Sequence, residues 1–247
     1  MGPKNPSFLV DTDEAAARLA KQRVMQPKLV RPVVVLSGYA DPGIAPYYLR
    51  AELGKVFNDD RIIGMSFYTS LTMDECRARL IEKTHRAFPS HNPNETVCVD
   101  VVAHSMGGLV ARYAAMDLPG KPRLRIERLF TIATPHQGAT IAYPPSPDPR
   151  VRYMHAGSEF LETLDWAFPN RDYEMICYTR LGDTIVPPKN AAPPNYPLWW
   201  VPNLPLSGSH VEAPGDPRIF LDIVRRLRYF PPITVGTPTP LPSNYFK

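Results

Sequence analysis

Residues 96–113 read Thr96-Val97-Cys98-Val99-Asp100-Val101-Val102-Ala103-His104-Ser105-Met106-Gly107-Gly108-Leu109-Val110-Ala111-Arg112-Tyr113. The first seven are rich in β-branched side chains, as expected of a strand buried on both faces of a parallel sheet. A helical pattern begins near Met106 without any spacer. Between strand and helix stands Ser105, with the small residues Ala103 and Gly107 two positions away on either side. A turn this sharp leaves no space for larger side chains at those two places. It lifts the serine hydroxyl clear of the sheet edge and sets it at a helix N-terminus, where unpaired N–H groups favour negative charge. Ser-x-Gly alone is weak evidence; strand, small flanks and helix together are strong.

Upstream of this turn, residues 31–36 predict a first strand, ending at Ser37-Gly38-Tyr39. Residues 47–57 have helical spacing, residues 61–68 predict a second strand, and residues 73–88 a helix capped by Thr72 with Glu75 completing a capping box. Downstream, strands are expected over 124–133, 173–179 and about 199–201, helices over 158–168 and 216–229, and a loop over 207–210. About six strand–helix alternations predict an α/β fold: a mostly parallel open sheet of about six strands with helices on both faces. Residues 1–30 read as a lead with a short helix over 13–26, residues 31–230 as one domain, and residues 231–247 as a Pro-rich extended or disordered tail.

Composition narrows the function. Apolar residues at 44% and charged residues at 21% are ordinary for a soluble globular protein. The net charge of +4 is too small to imply a nucleic-acid partner, and no basic cluster is interleaved with aromatics. Proline is the outlier, with 30 in 247 residues. The prolines gather at 135–149, 187–205 and 231–242, in expected loops and the tail. Cys76, Cys98 and Cys177 are an odd number at unrelated spacings, which argues against a disulfide scaffold. No stretch has the layout of a signal peptide or the ~18 apolar residues of a membrane span. A cytoplasmic home is slightly favoured, and a secreted one stays open if a leader has been removed. Neither His85 nor His91 has partners at metal-ligand spacing, so no metal and no cofactor are expected.

A serine hydroxyl is a poor nucleophile at neutral pH and needs a base, which in turn needs an orienting acid. When a serine on a strand-to-helix turn is the nucleophile, the chain order is Ser, then Asp or Glu, then His. Downstream of Ser105 the best acid is Asp183, in Gly182-Asp183-Thr184-Ile185-Val186-Pro187 at a strand end, and the best base is His210. His136 is the serious rival; it follows a strand, but no acid follows it in the expected order, so it reads as packing near the site. Strand alternation turns His104 away. Asp165, Glu159, Glu212 and Asp216 read as helix-surface or capping residues. The oxyanion of an acyl transfer needs donors, expected from the backbone N–H of Met106 and of Tyr39. Gly38, His104, His136, Tyr143, Trp199 and Trp200 are the expected surroundings of a bound substrate.

With those residues in hand, the chain resembles the α/β-hydrolase superfamily. Ala103-His104-Ser105-Met106-Gly107-Gly108 is similar to the elbow of small bacterial class 2 lipases, where alanine replaces the first glycine. Thr134-Pro135-His136-Gln137-Gly138 is similar to a motif after the next strand in lipases, serine esterases and inositol-deacylase-like proteins. The resemblance covers about residues 31–230 and implies a serine hydrolase acting on a small-molecule or lipid ester through an acyl-enzyme. Two departures stand out. Lipases usually carry His-Gly after the first strand where this chain has Ser37-Gly38, and no long insertion offers a lid; only loops 139–150 and 187–205 remain to cover the site. The same triad would serve an acyltransferase, a thioesterase or an amidase, and a non-catalytic binding protein on this scaffold is the remaining alternative.

Overall fold

Among the described residues, β-branched and aliphatic runs form six strands: β1 (Val33–Leu36), β2 (Ile62–Met65), β3 (Val99–His104), β4 (Ile126–Ile132), β5 (Glu174–Arg180) and β6 (Leu198–Val201). The computed structural model describes residues 5, 7–143, 146–203 and 208–243. All five strand pairings are parallel, in the order β2-β1-β3-β4-β5-β6. The chain reverses its direction of travel across the sheet between β1 and β3. In sheets of this kind the crevice beyond the carboxyl ends at that reversal is where ligands bind.

Side-chain alternation along the strands supplies two cores, one on each face. Val34, Leu36, Val101, Ala103, Met175 and Cys177 pack on one side. Their immediate neighbours Val33, Val35, Val102, Ile176 and Tyr178 pack on the other. The first core is closed by helices α3 (Met73–Ala87), α4 (Met106–Ala115) and α6 (Glu159–Ala167), and the second by α1 (Thr12–Met25), α2 (Ile44–Phe57) and α8 (Pro217–Leu227). Two short helices, α5 (Pro149–Tyr153) and α7 (Ser209–Glu212), lie in the connections. The cap at α3 forms with its second half shifted by one residue: the Thr72 side chain accepts from Glu75 N at 3.1 Å, and the Glu75 carboxylate accepts from Leu71 N, before the cap, at 2.7 Å.

Three expectations are corrected. The loop assigned to 207–210 holds the one-turn helix α7, with Ser207 outside the described residues. Cys98 lies just before β3, with its thiol 3.6 Å from Glu127 Oε2. The tail is docked through residue 239: Ile233 is buried, Phe8 and Thr234 form an antiparallel bridge, and Trp200 Nε1 donates to Thr239 O at 2.7 Å. Its anchor is Asp222, whose carboxylate accepts from Ile233 N at 2.7 Å, Thr234 N at 3.1 Å and Tyr178 Oη at 2.6 Å. Proline content alone gave no sign that this carboxylate on α8 would gather the following segment.

Candidate active site

Ser105 sits between β3 and α4 with φ 53°, ψ −130°, a region that a residue with a Cβ seldom adopts. The turn is over-determined by its neighbours. Ser105 N donates to Ile132 O at 2.9 Å, and Thr134 Oγ1 donates to Ser105 O at 2.8 Å. A Cβ on Gly107 would stand 2.5 Å from the Ser37 carbonyl oxygen, which explains the need for a residue without a side chain there. A Cβ on Gly38 would stand 2.9 Å from Ser105 Cβ, so the turn after β1 approaches the serine as closely as backbone can.

His210 and Asp183 arrive from the ends of α7 and β5. His210 Nε2 is 3.0 Å from Ser105 Oγ and His210 Nδ1 is 2.8 Å from Asp183 Oδ2. The carboxylate accepts a hydrogen bond from Nδ1–H, which leaves Nε2 as the acceptor facing the serine hydroxyl. Asp183 Oδ1 accepts from Ile185 N and Val186 N, each at 2.9 Å, so the carboxylate is fixed by its own loop. That bonding accounts for the Gly-Asp-Thr-Ile-Val-Pro pattern: an aspartate folded back on the next residues' amides. Ser209 Oγ holds the His210 turn by donating to Leu181 O at 2.9 Å. Residues 105, 183 and 210, far apart in sequence, are thus brought within hydrogen-bond distance at one rim of the sheet.

Ser105 and His210 open into a cleft of about 980 Å³, where Gly38, Tyr39 and His104 lie beside them. Its outer walls are largely apolar, with Ile44, Tyr48, Ile141, Val151, Ile185 and Val211 among them. Met106, first residue of α4, has a wholly buried side chain, so only its backbone can serve the site.

Four of the expected substrate-facing residues lie elsewhere. Trp199 is buried in the second core, its ring edge-on to Phe8 at 6.3 Å. Trp200 is fully buried and its indole N–H is taken by Thr239. Both tryptophans are covered although β6 is an edge strand, Trp199 by Phe8 and Trp200 beside the C-terminal segment. Tyr143 is half-exposed and stacks on His155 at 4.1 Å, and it is Ile141 of the same loop that reaches the cleft. His136 is buried; its Nδ1 accepts from Arg112 Nη1 at 3.0 Å, which places its proton on Nε2, 3.2 Å from Thr131 Oγ1. Burial and the neighbouring guanidinium hold it well below the usual histidine range, so it stays neutral. Of the loops expected to cover the site, residues 144–145 and 204–207 lie outside the described residues.

His104 is not turned away, as strand alternation predicts, but lines the cleft. Its Nε2–H donates to the His210 carbonyl at 2.9 Å, and the two rings lie 4.9 Å apart. Burial, aided by the neighbouring His210, lowers its pKa to about 4. Arg180, at the end of β5, also lines the cleft and pairs with Glu212 at 3.1 Å. The sequence carried no signal for either contact. Among the described residues no group of three or more histidine, cysteine or carboxylate side chains is placed to hold a metal ion, and no helix is long and apolar enough to cross a membrane.

Residues 66–146 match the PGAP1-like alpha/beta domain family. No curated protein matches the sequence. Among solved structures, phospholipase PlaB from Legionella pneumophila superposes with a TM-score of 0.59 at 13% identity, over 79% of this chain and 59% of that one. Lipase BlEst2 from Bacillus licheniformis, in mature form, gives 0.57 at 16% identity over 85% of this chain and 94% of that one. Aspergillus fumigatus lipase B gives 0.59 at 17% identity over 82% and 53%. The chain therefore spans little more than half the length of the Legionella and Aspergillus enzymes. With a six-stranded parallel sheet, a serine on a strained strand-to-helix turn and these structural likenesses, the chain has the α/β-hydrolase fold.

Proposed function

We propose that this protein is a serine hydrolase that cleaves carboxylic esters, with Ser105 as nucleophile, His210 as general base and then acid, and Asp183 as the group that orients the imidazole. The observation that carries this reading is the unbroken hydrogen-bond chain from Ser105 Oγ to His210 Nε2, at 3.0 Å, and from His210 Nδ1 to Asp183 Oδ2, at 2.8 Å, opening into an apolar cleft. His210 takes the serine proton as Oγ attacks the ester carbonyl. It returns that proton to the departing alkoxide, leaving an acyl group on Ser105. Water, deprotonated by the same imidazole, then attacks the acyl carbon, and the proton passes to Ser105 Oγ as its bond to the acyl group breaks and the acid departs. Asp183 stabilises the imidazolium in both halves without itself taking the proton.

The oxyanion is read as bound by the N–H groups of Met106 and Tyr39, at the start of α4 and in the turn after β1. One such donor contributes ~3–4 kcal/mol to the transition state. The apolar walls favour an acyl chain as the buried part of the substrate. The fold is shared with enzymes named as a phospholipase and as lipases.

The test is covalent labelling of Ser105 by a fluorophosphonate together with turnover of p-nitrophenyl esters. Ser105→Ala is expected to lose both, and unchanged turnover in that variant would remove the nucleophile. A panel of esters, thioesters, amides and alcohol acceptors then ranks hydrolysis against acyl transfer. Absence of labelling in the folded wild-type protein would point to a binding role instead.

A further inference from the structure

A backbone N–H that stabilises an oxyanion places no demand on its own side chain. The side chain of Tyr39 is nonetheless fastened. Its hydroxyl donates to Asp148 Oδ2 at 2.8 Å, across 109 residues of sequence. The guanidinium of Arg150 lies over its ring, 5.0 Å from the centroid. Arg150 also grips the same carboxylate at both oxygens, Nε to Oδ1 at 3.1 Å and Nη2 to Oδ2 at 2.7 Å. Its remaining nitrogen, Nη1, donates to Phe67 O at 3.1 Å, in the loop that follows β2. Asp148 is at the same time the N-cap of α5, accepting from Arg150 N at 2.9 Å.

Three separate segments are thus joined through the Asp148–Arg150 pair: the turn after β1, the loop after β2 and the start of α5. The turn has reason to need holding. Ala40, immediately after Tyr39, has φ 55°, a left-handed conformation that costs a residue with a Cβ. Gly38, immediately before, is pressed against Ser105. Arg150 is buried and Asp148 is mostly so, which shields the pair from the screening that weakens surface ion pairs. The Arg150 guanidinium, opposed by burial, holds the Asp148 carboxyl down to about 2. The acceptor is therefore ionised throughout the range in which an ester hydrolase of this type works.

We infer that Asp148 and Arg150 are positioning residues that act through the Tyr39 side chain to fix the turn carrying the oxyanion donor. Residues 148–150, at the end of the loop 139–150 that the sequence offers as a cover for the cleft, then serve as a brace. The inference rests on the reading of Tyr39 as an oxyanion donor given above. An oxyanion donor works only if it is already aimed at the place where charge develops. Loosening the brace should therefore lower transition-state stabilisation and leave ground-state binding of the ester nearly as it was.

Tyr39→Phe removes only the hydroxyl, and Asp148→Asn removes the charge while keeping the shape. Each is expected to lower kcat for a p-nitrophenyl ester ten- to a hundredfold with KM within twofold. Each should weaken inhibition by a boronic acid, which forms a tetrahedral adduct on the serine, by the same factor. The double variant should be no worse than the poorer single one, because both cut the same bond. Arg150→Lys, which keeps the cation and loses the two-pronged grip, should show the same kcat defect if Asp148→Asn proves too unstable to assay. Wild-type kcat in the folded single variants would overturn the inference, as would a raised KM at unchanged kcat, which would make the segment a wall of the substrate site. Ser105→Ala separates the two levels. If it is inactive while Tyr39→Phe is normal, only the brace fails; if it remains active, the reading of the site beneath it fails.

Discussion

His104 Nε2 lies 2.9 Å from the carbonyl oxygen of His210, so the residue before the serine holds the backbone of the residue that faces the serine. The carbonyl can only accept, so the proton is on Nε2 of a neutral ring. Ser105 and His210 are thereby tied together by the turn itself, independently of the Asp183 contact. His104→Phe keeps the volume and removes the donor. Its kcat is expected to fall roughly 10- to 100-fold, part of the 10²–10⁴ that a positioned base supplies, with labelling of Ser105 slowed in parallel. His104→Gln, which can restore an N–H, should recover part of the loss. Steady-state ester turnover of both variants measures this, and equal activity of Phe and wild type would refute the tie.

Asp183→Asn tests the acid through the tautomer. Asn Oδ1 can still accept from Ile185 N and Val186 N, so the loop should survive. Its amide, now facing His210 Nδ1, donates where the carboxylate accepted. That moves the imidazole proton to Nε2, where it can no longer take the serine proton. If Asp183 orients the imidazole, a loss of about 10⁴ in kcat is expected with little change in thermal midpoint, by analogy with Ser-His-Asp enzymes. Retention of more than a tenth of the activity would make another carboxylate the orienting group.

Two buried neutral histidines make the fold acid-sensitive. In the unfolded chain each titrates near ~6.5. In the folded protein burial holds His104 at about 4 and His136 well below its ordinary value. Above that upper value both states are neutral and neither residue affects stability. Below it the unfolded chain takes up protons that the folded chain refuses, so stability falls as pH falls, by up to about 1.4 kcal/mol per pH unit for each histidine. For His104 the loss levels off near pH 4. Urea midpoints should be level from about pH 8 to 7 and decline below that, and His136→Asn should lessen the slope. A flat profile down to pH 5 would mean that both rings are protonated within the fold.

The C-terminal segment is expected to be part of the stability of the domain. Asp222 is fully buried and accepts from Tyr178, Arg226, Ile233 and Thr234. Asp222→Ala would leave those donors unpaired at a cost of about 3–5 kcal/mol. Removal of residues 231–243 should lower stability as well, because it uncovers Trp200 and takes away the acceptor of its indole N–H. Both losses can be read from chemical denaturation, and an unchanged midpoint after the truncation would show the tail to be an ornament.

What the sequence by itself determined is what local physics writes locally. β-Branched and aliphatic runs placed the strands, Thr72 and Glu75 marked the start of α3, and small residues around Ser105 marked a turn that only they permit. The order of Ser105, Asp183 and His210 along the chain pointed to three side chains that the fold does bring together. Tertiary structure alone decided the contacts between residues distant in sequence and ordinary in type. Nothing near Trp199 or Trp200 shows that they pack inward, because burial is set by the tail and by Phe8. Nothing near Tyr39 names Asp148, and nothing near His104 names the His210 carbonyl. A hydrogen bond across a hundred residues leaves no periodicity, no cap and no spacing to read, since its two ends meet only after the sheet has brought their strand ends to one rim.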